Sequence, residues 1–244
     1  KKKVLIKKLC TKYKWDYSKI IEKTGIKNVY HSSKDESAIK LAISAAKKIT
    51  NKNKKIDAII YVTQSPEFFL PTNACVIQNK LGLKKNIIAY DINQGCTGFV
   101  YGLYNAQLLL QDSLINNILI ICSDTYTKYI KKDNKSCLTL FSDGATAILV
   151  KKRKNKKKQY IFYTDGSGEN DLKLHFSGNQ FIKNKIPELS MDGRKVLLFT
   201  MNYVPQIVRK TLKENKVTLD ELKYVIFHQA SKIVIENLIR KLDI

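Results

Sequence analysis

Residues 56–63 read Ile-Asp-Ala-Ile-Ile-Tyr-Val-Thr, with a single charged side chain among them. A strand this apolar has no face to offer water, so it belongs inside a sheet that is covered on both sides, the usual setting of parallel strands. Residues 117–123 and 87–90 read the same way, and helical patterns separate the three runs. Residues 36–49 carry an apolar stripe of Ile39, Leu41, Ala42, Ala45 and Ala46 after a Ser/Asp-rich cap, and residues 73–81 are helical. Strands that alternate with helices call for a mainly parallel α/β sheet. Strands are also predicted at 4–8, 138–143 and 145–151, with a helix at 13–23 that stops at Thr24-Gly25-Ile26.

After a lysine-rich run at 151–158 the pattern starts again. A strand at 159–163 is followed by a turn at 165–168, a polar excursion at 170–188, a helix at 192–214, a strand at 222–228 and a helix at 231–242. This repeats the opening order of the first half. Two related halves follow, 1–155 and 156–244, the second lacking its closing strands.

Cys96 sits where the period changes. The apolar run at 87–90 favours a strand, whereas Phe99, Leu103, Ala106 and Leu110 recur at helical spacing. A thiol at a helix N-terminus lies near unpaired N–H groups and the positive end of the peptide dipoles, which favours thiolate. Gly95 and Gly98 would let another molecule come close to the sulfur. The competing reading is a buried, inert cysteine. His228 leaves the end of the late apolar run just before a helix cap, where open α/β sheets place ligands. A lone histidine there is otherwise a satisfied core residue. Paired with Cys96 through the two-fold repeat, it becomes a candidate for chemistry. His31 and His175 lie in polar stretches and carry no comparable argument.

Composition narrows the classes. With 44% hydrophobic residues the chain folds into a globular core, and no window of apolar residues is long enough to span a membrane or serve as a signal peptide. The expected compartment is the cytoplasm. Five cysteines, with no C-x-x-C pair, fit reduced thiols better than a disulfide framework or a zinc site. The net charge of +23 raises nucleic acid as a partner, but lysine is spread along the whole chain in the manner of an AT-rich coding bias. The run at 151–158 is a solvated loop or a patch for an acidic partner, and it holds no aromatic residue on which a base could stack.

The segments Lys23-Thr24-Gly25-Ile26, Leu70-Pro71-Thr72-Asn73-Ala74-Cys75, 91–102, Phe141-Ser142-Asp143-Gly144-Ala145, Asp165-Gly166-Ser167, Met191-Asp192-Gly193 and His228-Gln229-Ala230-Ser231 occur in an order that resembles the thiolase-fold condensing enzymes. Among these, the resemblance is to the 3-oxoacyl-(acyl-carrier-protein) synthase III group. It implies a thiolase-like fold of two pseudo-symmetric halves, each with a five-stranded mixed sheet, layered α-β-α-β-α, in a homodimer. It implies that Cys96 is acylated by an acyl-CoA or acyl-carrier-protein primer, and that a malonyl-thioester on the carrier protein then condenses with loss of carbon dioxide. The Cys96 N–H and the Gly98 turn would form the oxyanion site, and His228 would donate a hydrogen bond through Nε2.

By the same resemblance Leu70, with Phe69 beside it, stands where a phenylalanine limits the acyl pocket across the dimer, so a longer or branched primer is expected. Lys19 and Lys135 replace the aromatic and arginine that sandwich the coenzyme A adenine, which puts that donor in question. Lys232, Arg240 and Lys241 would dock an acidic carrier protein. Coenzyme A or phosphopantetheine is a substrate group, with no metal and no permanently bound cofactor implied. A third catalytic residue, an asparagine, is expected beyond Ile244, which makes the chain part of a longer protein. Two alternatives keep the fold: transfer of the acyl group to an oxygen or nitrogen acceptor, and an inactive scaffold.

Overall fold

The computed structural model describes residues 2–52, 55–153, 158–180 and 182–244. They group into two compact units. The first comprises Lys1–Lys2, Tyr30–Thr125 and Asp143–Lys157, the second Lys3–Val29, Tyr126–Ser142 and Lys158–Ile244.

The first unit is built on β3 (Ala58–Val62), β4 (Ile88–Ile92), β5 (Asn117–Asp124) and β6 (Gly144–Lys151), in the order β4-β3-β5-β6. β3 runs parallel to β4 and β5, and β6 returns antiparallel beside β5. Every residue of β3 is buried, as its composition requires. Alternation then sorts the sheet into two faces. Ile59, Tyr61, Leu119 and Ile121 pack with Ile39, Ala42 and Ala46 of α3 (Ala38–Thr50) and with Ala74 and Ile77 of α4 (Asn73–Lys80). Ala58, Ile60, Ile118 and Ile120 pack against Ala106 of α5 (Gly98–Leu109) on the opposite face. The sheet has four strands where the resemblance implied five.

In the second unit α1 (Ile6–Tyr13) and α2 (Tyr17–Thr24) close a small core of Ile6, Cys10 and Ile20 with Val29. Ile6 and Cys10 are four residues apart, a helical spacing, so a helix takes most of the stretch predicted as a strand at 4–8. β1 (Lys2–Leu5) keeps only its beginning and pairs with β2 (Asn28–His31). The predicted strand at 138–143 is likewise absent. Asn134 caps a turn through Cys137 N–H at 3.1 Å, starting α6 (Lys135–Leu138) instead.

The polar excursion holds a hairpin of β7 (Leu172–His175) and β8 (Glu188–Met191), so His175 is a strand residue, its Nε2 2.8 Å from Ser190 Oγ. α7 (Gly193–Asn215) and α8 (Lys232–Leu242) form as predicted, the first capped by Asp192. The runs at 159–163 and 222–228 form no ladder: among the described residues they have no strand beside them. No helix of the described residues is long and apolar enough to cross a membrane.

Candidate active site

β4 leads through a tight turn into α5, and Cys96 lies at the bend, at the C-terminal end of the parallel strands. The Gly98 N–H donates to Gly95 O at 2.9 Å, closing the turn. Gly98 is required for a reason the sequence did not disclose. A Cβ there would lie 2.3 Å from Val62 Cγ1, so the missing side chain seats α5 on β3 rather than opening a path to the sulfur. Gly102 repeats the contact one turn on, where a Cβ would come within 3.2 Å of Ile120 Cγ2.

α5 begins at Gly98, not at Cys96, and ends at Leu109. Cys96 therefore precedes the first helical turn. Burial of the sulfur pushes the thiol above its ordinary value, a backbone hydrogen bond opposes this, and the nearby Asp124 carboxylate pushes it further up. The residue as a whole remains exposed. The expectation of a thiolate favoured by the helix end is thus reversed: Cys96 rests as a thiol.

The loop at 64–72 leaves β3 beside this turn and carries Phe69 and Leu70 outward, 84% and 88% exposed. Asp124 holds its first residues, and Asp91 with Asn73 holds its last. Sequence reasoning missed these three residues as anchors. The available signal was a carboxylate at the end of each of two apolar strands.

His228 belongs to the second unit, and its segment pairs with no strand among the described residues. Tyr224 and Ile226, 72% and 87% exposed, show that this is not the buried strand predicted. His228 is exposed as a residue, yet desolvation of its imidazole pushes it below its ordinary value, which favours the neutral ring. The following α8 starts after Ser231, whose side chain makes no cap hydrogen bond. Beside it, Thr24, Gly25, Ile26, Gln229, Ser231, Lys232, Ile235 and Glu236 line an open groove of about 380 Å³.

The remaining predicted cations are dispersed and partly engaged. Lys19 lies 3.7 Å from Asp16, and Lys232 lies 3.6 Å from Glu236 one turn along α8. Arg240 donates to Asn237 Oδ1 at 3.0 Å, and Lys241 Nζ donates to Met201 O at 3.1 Å. Lys135 is the first residue of α6. Of the lysine run at 151–158, residues 154–157 lie outside the described residues. Among the described residues no cluster of His, Cys, Asp or Glu could hold a metal ion.

A family model described as 3-oxoacyl-[acyl-carrier-protein (ACP)] synthase III matches residues 90–166, the stretch that contains Cys96. The beta-ketoacyl-[acyl-carrier-protein] synthase III of Clostridium novyi is 33% identical over 244 residues, covering 96% of this chain and 74% of the relative. The chain belongs to the beta-ketoacyl-[acyl-carrier-protein] synthase III family. The enzyme of that name from Fusobacterium nucleatum is 32% identical over 249 residues, covering 93% of this chain and 75% of its own. A crystal structure of a 3-oxoacyl-(acyl-carrier-protein) synthase III superposes with a TM-score of 0.92 at 29% identity, covering all of this chain and 79% of that one. The thiolase-like fold follows, as does the activity class: this synthase III homologue is a condensing acyltransferase.

Proposed function

We propose that Cys96 is the nucleophile that carries the acyl group. The observation behind this reading is the bend itself: a cysteine between β4 and a glycine-seated α5, inside the stretch that matches the family model. In the first step Cys96 Sγ attacks the carbonyl carbon of an acyl-thioester. The carbon–sulfur bond to the donor breaks, and the donor thiol leaves with the proton given up by Cys96. The exchange is proton-neutral, so a resting thiol is compatible with it. N–H groups of the turn, that of Cys96 among them, would receive the charge developing on the carbonyl oxygen.

In the second step malonyl-acyl-carrier protein loses carbon dioxide. The resulting enolate carbon bonds to the acyl carbon, and Cys96 Sγ departs as a thiolate that takes up a proton from water, giving a 3-oxoacyl-carrier protein and the resting thiol. His228 would donate from Nε2 to the malonyl-thioester carbonyl as the enolate forms. A neutral imidazole is the form that this role needs, in keeping with its depressed proton affinity.

The same reading gives Leu70 and Phe69 to the acyl pocket, Lys19 and Lys135 to the donor's coenzyme A, and Lys232, Arg240 and Lys241 to the carrier protein. It takes 1–155 and 156–244 as the pseudo-symmetric halves. It also includes a homodimer: β4 closes the sheet order at one side with no further strand beside it among the described residues, and the apolar tip at Phe69 and Leu70 is uncovered. The compartment proposed is the cytoplasm, in keeping with five free thiols.

Release of carbon dioxide from labelled malonyl-carrier protein tests the reaction. Release that depends on a primer, with formation of a 3-oxoacyl product, is expected. Primer turnover without release would move the assignment to transfer onto an oxygen or nitrogen acceptor.

A further inference from the structure

The loop at 64–72 is fixed at its ends and bare at its tip. At the first end a single oxygen of Asp124, the last residue of β5, accepts four hydrogen bonds. They come from Thr63 Oγ1 at 3.1 Å, Gln64 N–H at 2.8 Å, Ser65 N–H at 2.9 Å and Ser65 Oγ at 2.9 Å. Ser65 Oγ accepts in turn from Thr125 N–H at 2.8 Å. At the other end Asp91 of β4 accepts from Asn73 N–H at 2.8 Å, Asn73 Nδ2 at 2.9 Å and Ala74 N–H at 2.7 Å. Asn73, fully buried, reaches back to the loop: its Oδ1 accepts from Glu67 and Phe68 N–H at 3.1 and 3.2 Å, and its Nδ2 donates to Phe68 O at 2.9 Å.

Hydrogen bonds to a carboxylate are shorter and stronger than those between neutral groups, so both ends of the loop are held in one geometry. A loop held so firmly for its own stability would turn its large apolar side chains, Phe68, Phe69 and Leu70, inward. Here Phe69 and Leu70 face water. Exposed apolar groups on a rigid mount are arranged for something that meets them.

We propose that Asp124 and Asp91 are positioning residues for primer choice, clamping the loop so that Phe69 and Leu70 stand at a fixed reach that sets how long an acyl chain is accepted. The proposal rests on the reading that Cys96 carries the acyl group and that the loop tip bounds the acyl pocket.

The test follows acylation of the full chain by acetyl-, butyryl- and octanoyl-N-acetylcysteamine with intact-protein mass spectrometry, and takes the ratio of rates between chain lengths. A ratio is insensitive to loss of folded enzyme, which a merely structural role would cause. Asp124→Ala is expected to move the octanoyl-to-acetyl ratio about tenfold toward unity, the discrimination a methylene-scale change in an apolar pocket produces. Ser65→Ala, which removes one donor to Asp124, moves it less. Asp124→Asn keeps a carbonyl oxygen in the place of Oδ1 and falls between. Asp57→Asn removes a hydrogen-bonded carboxylate at the opposite end of the same sheet and leaves the ratio unchanged.

A folded Asp124→Ala protein with the wild-type ratio would overturn the proposal. Should that variant not fold, wild-type ratios in both Ser65→Ala and Asp124→Asn would do the same. A wild-type chain that takes no acyl group from any of the three donors would overturn the underlying reading instead, and the wild-type sample alone reveals it.

Discussion

Two stretches of comparable apolar character end in opposite states. Ile118, Leu119, Ile120 and Ile121 of β5 lie buried between β3 and β6, whereas Tyr224, Val225, Ile226 and Phe227 have no strand beside them among the described residues. Both are rich in strand-favouring residues, isoleucine in the first and Tyr, Val, Ile and Phe in the second, so propensity does not separate them. The difference is pairing. β5 exchanges hydrogen bonds with a neighbour on each side and is covered by helices on both faces. Beta character in a sequence is a capacity, and a strand is a relationship between two segments.

The largest effect that would sharpen this contrast is truncation within the paired region. Ile60→Ala removes a fully buried side chain between β4 and β5 and should cost about 2–5 kcal/mol by urea unfolding. Ile226→Ala removes the same atoms from a side chain that is mostly in water and should stay within about 0.5 kcal/mol. Equal losses at the two sites would break the comparison, because Ile226 would then be buried in solution.

A smaller effect separates two half-buried groups of the first unit by pH. Burial pushes the Asp57 carboxyl up, but Lys84 and the N–H groups of Asn116 and Asn117 outweigh it and hold the carboxyl below its ordinary value of 3.8. A depressed acid stabilises the fold above its unfolded-state value, and the contribution is lost as pH falls through the lower folded-state value. His31 is also depressed, mainly by burial, with Asp143 opposing and Lys2 adding, and its Nε2 is buried without a hydrogen-bond partner among the described residues. The folded chain keeps this ring neutral while the unfolded chain protonates it. Stability is therefore complete above about 6.5, the ordinary histidine value, and declines as pH falls toward the lower folded-state value. Melting temperature against pH should lose its upper acid slope in His31→Gln and its lower acid slope in Asp57→Asn. A single slope unaffected by His31→Gln would place that ring in water.

Much of the first unit was legible because its strands are bounded by helices with clear periodicity. Residues 36–49, 73–81 and 117–123 all found their predicted state within a few positions. The rest depended on partners. The β7 and β8 hairpin is too polar to announce itself, and its strands are defined by each other. Ile6 and Cys10 turned a short apolar run into a helix because the next residues could complete the spacing. In the candidate site, Cys96 was visible as a change of period between two glycines. Its protonation state was not, since that depends first on burial of the sulfur in the folded chain, with Asp124, 28 positions away in sequence, adding to it. Asp91, Asn73 and Asp124 read as ordinary strand-end and cap residues until the loop they share is seen.

The central claim is that the thiol at the bend after β4 forms the acyl-enzyme. Intact-protein mass spectrometry before and after exposure to short and medium acyl-CoA and acyl-carrier-protein donors, repeated on Cys96→Ala, tests it directly. The account predicts one acyl increment on the wild-type chain and none on Cys96→Ala. An increment that survives the substitution, or a wild-type chain that accepts no acyl group from any donor, would contradict it.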